Sequence, residues 1–311
     1  MKIEIGTNEA GQRLDKFLRK YLKDVPLSAI FKALRKGDIR VNGVKKKENY
    51  PLELGDIIEI RYLQSKQEKK ADTFMKVNSS GLMITYEDEN ILVVEKWPGV
   101  LVHPDQRGVE PSLTDYVLSY LNGKGDYLPE KEKTFTPAPC NRLDRNTSGV
   151  VIFGKNFESL RTMNEMIREG YVKKYYNALV KGKIKDGIYK GYISKDENEN
   201  ISKVFDEKRP NTKEIAMEVK TVQTNGAYSL LEIDLITGRS HQIRAHLAHS
   251  SLPILGDGKY GSYEINKRFK VYTQCLCSYS ISFNFTSDSG ILNYLNHSSF
   301  TLKKLPYEDL L

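Results

Sequence analysis

The stretch Asn141-Arg142-Leu143-Asp144-Arg145-Asn146-Thr147-Ser148-Gly149 runs directly into Val150-Val151-Ile152-Phe153-Gly154. The second half is a short apolar run rich in β-branched residues and reads as a strand. The first half is a turn rich in Asn, Thr, Ser and Gly. It presents a carboxylate between two arginines, a charged group within reach of an anionic substrate. An isolated Arg-Leu-Asp is most often a structural turn pair, but this nine-residue context ahead of a strand is far more specific.

Further out, residues 91–95 form another apolar strand, Pro98-Gly99 a turn, and residues 112–122 a Ser-capped helix with Leu113, Tyr116, Val117, Tyr120 and Leu121 on one face. Tyr176, Ala178 and Val180 alternate as a strand does, and residues 228–236 supply one more. Strands and helices follow one another without regular βαβ alternation, which predicts an α+β domain on a mixed, largely antiparallel sheet. The polar residues 194–214 are expected as an exposed excursion.

The first fifth of the chain differs in character. Residues 13–23 place Leu14, Phe17, Leu18, Tyr21 and Leu22 on one helical face and Arg13, Lys16, Arg19, Lys20 and Lys23 on the other. Ser28 is expected to cap a second helix, with Ile30, Phe31 and Leu34 inward, Lys32, Arg35 and Lys36 outward, and Gly37 at its end. Ile39 and Val41 lead to Asn42-Gly43, a dipeptide favoured in type I′ hairpin turns, and Ile57, Ile58 and Ile60 follow a turn at Gly55-Asp56. Residues 1–63 thus read as a small α+β module. Of the net charge of +8, more than half lies in residues 1–62, which hold 14 Lys and Arg against 9 Asp and Glu; a polyanionic partner is expected there. Residues 64–80 have few core-forming side chains and read as a linker, leaving 81–311 for the larger domain.

Composition narrows the class. With 39% hydrophobic and 28% charged residues and no run of 18 apolar residues, a soluble globular protein is expected and a membrane span is not. The N-terminal segment carries acids where a signal peptide needs a basic start and an apolar run. Cys140, Cys275 and Cys277 form no C-x-x-C pair, so neither a disulfide framework nor a zinc site is expected, and the setting read from the sequence is reducing and cytoplasmic.

A second constellation, LITGRSHQIRAHLAHSSLPILGD, gathers Arg239, His241, Arg244, His246 and His249 on an expected helix. Its histidines raise the possibility of a metal-dependent hydrolase. The stretch has no H-E-x-x-H and no carboxylate inside the helix, however, and residues five apart on a helix diverge. The reading is therefore of arginines facing an anionic group, histidines making structural hydrogen bonds, and no metal.

Residues 84–261 resemble the RluA-type RNA pseudouridine synthases. The resemblance rests on RLDRNTSG, on Lys174-x-Tyr176-x-Ala178-x-Val180-x-Gly182, on TGRSHQIRAHL, and on PILGD with Tyr260-Gly261. Residues 11–62 resemble the alpha-L RNA-binding module through RLDKFL, Ser28, KALRKGDIRVNG and LGDIIEI. That module precedes the catalytic domain in the RluC and RluD branches of the family.

The resemblance implies the pseudouridine synthase fold. It also implies an isomerase that detaches uracil from its ribose, turns it and rejoins it through carbon 5, without metal or organic cofactor. Asp144 is then the nucleophile, whether the route runs through the ribose, the uracil ring or a glycal. Arg244 corresponds to the arginine paired with it, and Tyr176 to the ring that stacks on uracil and assists removal of the carbon-5 proton. Arg142 corresponds to the arginine that fills the space of the extruded base; a pairing role in the loop is equally compatible. Arg142, Arg145 and Arg239, with Arg13, Lys16, Lys20, Lys32, Arg35 and Lys36 of the basic module, are the expected RNA contacts. The implied partner is structured RNA, foremost large-subunit ribosomal RNA at RluC-like sites, bound by a monomer. Transfer RNA is the alternative substrate, and a catalytically silent ribosome-associated RNA-binding protein the alternative function.

Four positions depart from the family pattern or invite another reading. Asn141 replaces a common histidine but can still hydrogen-bond the loop. Trp97 displaces a proline in Lys96-Trp97-Pro98-Gly99, and Glu218 stands where threonine is common. Cys140, next to the loop, is expected to be a small packed side chain.

Overall fold

The computed structural model describes residues 1–63, 74–105, 108–196, 199–307 and 310. At the N-terminal end the apolar spacing produces β1 (Lys2–Glu4), α1 (Leu14–Tyr21), α2 (Leu27–Lys36), β2 (Ile39–Val41) and β3 (Ile57–Ile60), with the antiparallel order β1-β3-β2. Leu14, Phe17 and Leu18 of α1, Ile30 and Leu34 of α2, and Ile39, Val41, Ile58 and Ile60 of the sheet close one core. The Asn42-Gly43 turn has positive φ at both residues, as a type I′ hairpin turn requires. One expectation is corrected: α2 starts at Leu27 behind Pro26 with no side-chain cap, so Ser28 is the second helical residue, two positions past the cap.

The larger sheet follows. Its elements in chain order are β4 (Met83–Glu87), β5 (Ile91–Lys96), α3 (Leu113–Lys124), β6 (Ala138–Pro139), β7 (Ser148–Gly154), α4 (Phe157–Arg168), β8 (Val172–Lys181), β9 (Gly187–Asp196), β10 (Ile201–Phe205), β11 (Lys213–Thr224), β12 (Tyr228–Asp234), α5 (Gln242–His249), α6 (Tyr263–Phe269), β13 (Leu276–Phe283) and β14 (Ser299–Thr301). The strand order is β10-β9-β11-β12-β8-β13-β7-β5-β4, with β6 on β7 and β14 on β13. Neighbours run antiparallel except β13 and β7, which pair in parallel through Cys277–Ser148 and Ser278–Gly149, so the sheet is mixed and largely antiparallel as expected.

The near-continuous apolar runs have a simple cause. Ile91, Val93, Val150 and Ile152 face Met163 and Met166 of α4, while Leu92, Val94, Val151 and Phe153 face Leu113, Val117 and Leu121 of α3. These strands are covered on both sides and cannot alternate with polar residues. Ser112 and Asp115 form a capping box that starts α3.

Two expectations about loops change. The polar stretch 194–214 is not an excursion but closes the sheet edge: β9 and β10 pair from Ile201–Asp196 to Phe205–Tyr192, and alternate residues Ser202 and Val204 are buried. Of the expected linker, residues 64–73 lie outside the described residues. Residues 74–80 run along α3, where the Met75 and Val77 N–H groups donate to Asp115 and Ser119 and Phe74 packs on the main core.

The turn after β1 touches the larger sheet's surroundings. Asn8 donates to Glu132 and accepts from the Phe157 N–H at the start of α4, and Gln12 donates to Thr134.

Gly149 makes the parallel pairing possible. Its φ is +122°, and a Cβ there would stand 2.2 Å from the Ser278 carbonyl oxygen. Gly149→Ala is expected to cost roughly 3 kcal/mol by forcing β7 and β13 apart. The check is a lowered melting temperature and denaturation midpoint; a wild-type transition would contradict this account of the junction.

Candidate active site

Asp144 lies in the turn between β6 and β7, and several independent contacts hold that turn. The Thr147 N–H donates to the Asp144 carbonyl at 3.1 Å, and Gln274 Nε2 donates to Thr147 Oγ1 at 2.8 Å from the segment before β13. Asn141 uses both ends of its amide on β7, donating to the Val150 carbonyl (3.1 Å) and accepting from the Ile152 N–H (2.9 Å). The substitution at this position thus keeps the loop fastened.

Lys96, at the end of β5, is fully buried, and its ammonium donates to the carbonyls of Trp97, Val100 and Arg145 at 3.1, 3.0 and 2.9 Å. The Arg145 carbonyl also accepts from the Gly99 N–H. The Lys96–Gly99 turn is therefore tied directly to the residue after Asp144. Trp97 packs edge-to-face on Tyr116 at 5.1 Å, which gives the indole a place on α3.

The Asp144 side chain is 28% exposed, and Oδ2 accepts from Arg244 Nη1 at 2.9 Å. Arg244, on α5, is buried and its other edge forks onto Asp257, with Nε–Oδ2 2.8 Å and Nη2–Oδ1 2.9 Å. Asp257 is itself enclosed and accepts the N–H groups of Lys259 and Tyr260. Burial opposes both charges. The fork overcomes this, holding the Asp257 carboxyl below the usual carboxylate range and the Arg244 guanidinium above its ordinary value. Among the described residues, Arg244 is the arginine that ion-pairs with Asp144; Arg142 is exposed beside His103, and Arg145 pairs with Glu110 at 2.8 Å.

Tyr176, on β8 opposite Ile233 and Ser278, is buried in the same core. Burial pushes its phenol up to about 12, and the Asp144 carboxylate adds to the rise, which places the ring within electrostatic range of the nucleophile candidate. Cys140 is buried, and desolvation pushes its thiol up to about 12, consistent with packing rather than reactivity. Glu218, on β11, lines a shallow cleft with Lys173, Tyr175, Lys220, Glu232 and Asp234.

The helix after Thr237 differs from its expectation. It begins only at Gln242, because His241 adopts a left-handed conformation (φ 56°) and Gln242 closes the preceding turn by accepting from the Arg239 N–H and the Thr237 hydroxyl. Arg239 is therefore an exposed turn residue. The histidines disperse: His241 turns toward Asp144, His246 packs against Tyr189, and His249 meets Asp206 at 2.9 Å. Among the described residues, no group of three or more His, Cys, Asp or Glu side chains could hold a metal ion.

In the N-terminal module Lys16, Lys32, Arg35 and Lys36 are exposed. Arg13 forks onto Asp15, and Lys20 sits over the Phe157 ring at 6.0 Å. Sequence reading missed Asp257 and Gln274 as parts of the site. The string PILGD contained Asp257, but nothing in it announced a buried partner thirteen residues from Arg244.

Sheet order and the Asp144–Arg244 pair at the mouth of a buried network define a class, and comparison with known proteins agrees. Residues 90–249 match the family model described as RNA pseudouridylate synthase, and residues 12–58 match the S4 domain. The chain belongs to the RNA pseudouridylate synthase family. It is 34% identical over 277 residues to the ribosomal large subunit pseudouridine synthase C of Vibrio vulnificus, covering 87% of this chain and 82% of the relative. To the protein of the same name from Escherichia coli it is 34% identical over 276 residues, covering 86% and 81%. A solved human structure, RNA pseudouridylate synthase domain containing 4, shares the fold with a TM-score of 0.57 and 20% identity over 73% of this chain and 90% of that one. Among the described residues, no helix is long and apolar enough to cross a membrane.

Desolvation lowers the Lys96 ammonium from 10.5 to about 8. The folded protein therefore releases this proton before the unfolded chain does. Stability from this group should rise with pH between about 8 and about 10.5, by at most about 3 kcal/mol. Lys96→Met should remove that rise, as measured by denaturant unfolding at several pH values; an unchanged slope would show that Lys96 does not titrate in this window.

Proposed function

We propose that the protein isomerises uridine to pseudouridine in large-subunit ribosomal RNA, with Asp144 as nucleophile, Arg244 holding it and Tyr176 stacking on the uracil. The observation that carries this reading is a carboxylate at the mouth of a buried network, fixed from behind by an arginine whose charge is already balanced by Asp257. In the reaction the bond from ribose C1′ to N1 breaks, the uracil turns, and C1′ bonds to C5. The C5 proton leaves and N1 takes one up, so the composition is unchanged. The chemistry needs positioning and a carboxylate and calls on no metal or organic cofactor.

A base inside folded RNA must first be extruded, at a cost of a few kcal/mol that stacking and hydrogen bonds in the pocket offset. Arg142, exposed beside the Asp144 turn, is suited to fill the vacated space. Arg145, Arg239 and the module residues Arg13, Lys16, Lys20, Lys32, Arg35 and Lys36 are assigned to the phosphates. We assign the RNA-binding module to residues 1–63 and the catalytic domain to 81–311, working as a cytoplasmic monomer. The names of the Vibrio and Escherichia relatives support the large ribosomal subunit as the substrate at RluC-like sites.

Tritium release from RNA labelled at uracil carbon 5 tests the reaction. Asp144→Asn should lower release by roughly a thousandfold or more while leaving RNA affinity nearly intact, because phosphate contacts lie elsewhere. Collapse of binding instead would make Asp144 structural. Release only from transfer RNA would replace the substrate, and none from either RNA would favour a silent RNA-binding protein.

The module is tested separately. Replacing Lys32, Arg35 and Lys36 by glutamine should reduce the slope of log affinity against log salt by about 0.7 to 0.9 for each lost phosphate contact. An unchanged slope would remove these residues from the RNA interface.

A further inference from the structure

His241 occupies a backbone conformation that few side chains adopt, and its ring is gripped at one end. The φ of 56° places it in the left-handed region immediately before α5, where it makes no side-chain capping bond. Histidine is among the residues that enter this region more readily, and here it sets the direction in which the ring leaves the backbone. His241 Nδ1 lies 2.9 Å from the Tyr260 hydroxyl. That hydroxyl already accepts from the Ser202 N–H of β10 at 2.7 Å. The Tyr260 ring is in turn covered by the Arg244 guanidinium, 5.1 Å from its centroid.

The other ring nitrogen points at the reaction centre. His241 Nε2 stands 3.9 Å from Asp144 Oδ2, the same oxygen that Arg244 holds. An ionised carboxylate only accepts hydrogen bonds, and a tyrosine hydroxyl has one proton to give. One tautomer suits both ends: Nδ1 accepts from Tyr260, which leaves the ring proton on Nε2, facing Asp144.

Resting on the functional reading above, we propose that His241 is a positioning residue for the Asp144 nucleophile. As a neutral Nε2–H donor set by Tyr260, it becomes the second donor to Oδ2 once substrate closes the 3.9 Å gap. The neutral form is what suits the task. A second full cation on the same oxygen would hold the carboxylate too tightly to attack, whereas a neutral donor gives it direction and leaves its charge. The groups facing the ring divide by sign: Asp144 and Asp257 favour protonation, Arg244 and Lys259 oppose it, and Tyr260 is neutral. Burial is the largest influence and holds the imidazole below its ordinary value, so the neutral form prevails at neutral pH.

The test uses the full-length protein in single-turnover tritium release across pH, with two replacements. Asn tolerates the left-handed backbone but is too short to reach Asp144, whereas Gln can place an amide N–H near the position of Nε2. His241→Asn should slow the chemical step by about tenfold or more with RNA affinity near wild type. His241→Gln should recover much of that rate and lose the part of the acid limb that belongs to the imidazole.

An Asn variant with the wild-type rate and pH profile, or a Gln variant as slow as the Asn variant, overturns the proposal. Nuclear magnetic resonance of nitrogen-labelled histidine in the wild-type protein reads the tautomer without any turnover; a proton on Nδ1 also overturns it. Failure of the functional reading looks different, since the wild-type protein itself would then release no tritium.

Discussion

The buried guanidinium of Arg244 faces two carboxylates, forked onto Asp257 on one side and bonded to Asp144 on the other. Removing a charge from water costs several kcal/mol unless a partner and hydrogen bonds compensate, and Asp257 supplies both from a fully enclosed position. With that pair balanced, Asp144 approaches as a third charge, and the buried Lys96 ammonium acts on it only from a distance while its hydrogen bonds go to backbone carbonyls. Asp144 is held in direction without being neutralised. A simple two-membered ion pair could not do this, because the arginine that positioned the carboxylate would also mask it.

The rest of the structure serves that arrangement. Asp144 comes from a turn before β7, Gln274 from the segment before β13, and Arg244 from a helix between β12 and β13. In a purely antiparallel sheet, adjacent strands begin at opposite ends. The parallel pairing of β7 with β13 lets both preceding segments emerge at the same end, and Gly149 permits the close approach. Lys96 binds the third side, its ammonium donating to three backbone carbonyls that converge on it from the Trp97–Val100 turn and from Arg145.

The legible features were those encoded locally. The runs at 91–95 and 150–153 and the amphipathic helices announced themselves by periodicity, and the Asp144 turn by its composition. The mixed sheet followed from the lack of βαβ alternation. What depended on distant partners stayed hidden. Asp257 reads as an ordinary loop aspartate until α5 delivers Arg244, and Lys96 reads as a surface lysine until three carbonyls surround it. The edge strand β10 is only five residues long and buries Ser202 beside Val204, so its short apolar signal was lost within the polar composition of 194–214. The late start of α5 has a similar origin: the Gln242 side chain reaches Ala216 on β11, a tertiary contact that ends the helix where propensity would have extended it.

The distance along the chain between the parts of the site also bears on how the protein comes into being. Asp144 and Arg244 are 100 residues apart, and Thr147 and Gln274 are 127 apart. Chains are made from the N-terminus, so the basic module can fold while the reaction centre still lacks half its members. Loop-closure entropy delays such remote pairings further. A chain made only as far as β12 can therefore contain the whole N-terminal core and the Asp144 turn while still lacking Arg244 and Gln274. The same topology makes the Asp144 turn depend on the middle of the sheet: separating β13 from β7 would also withdraw Gln274 from Thr147.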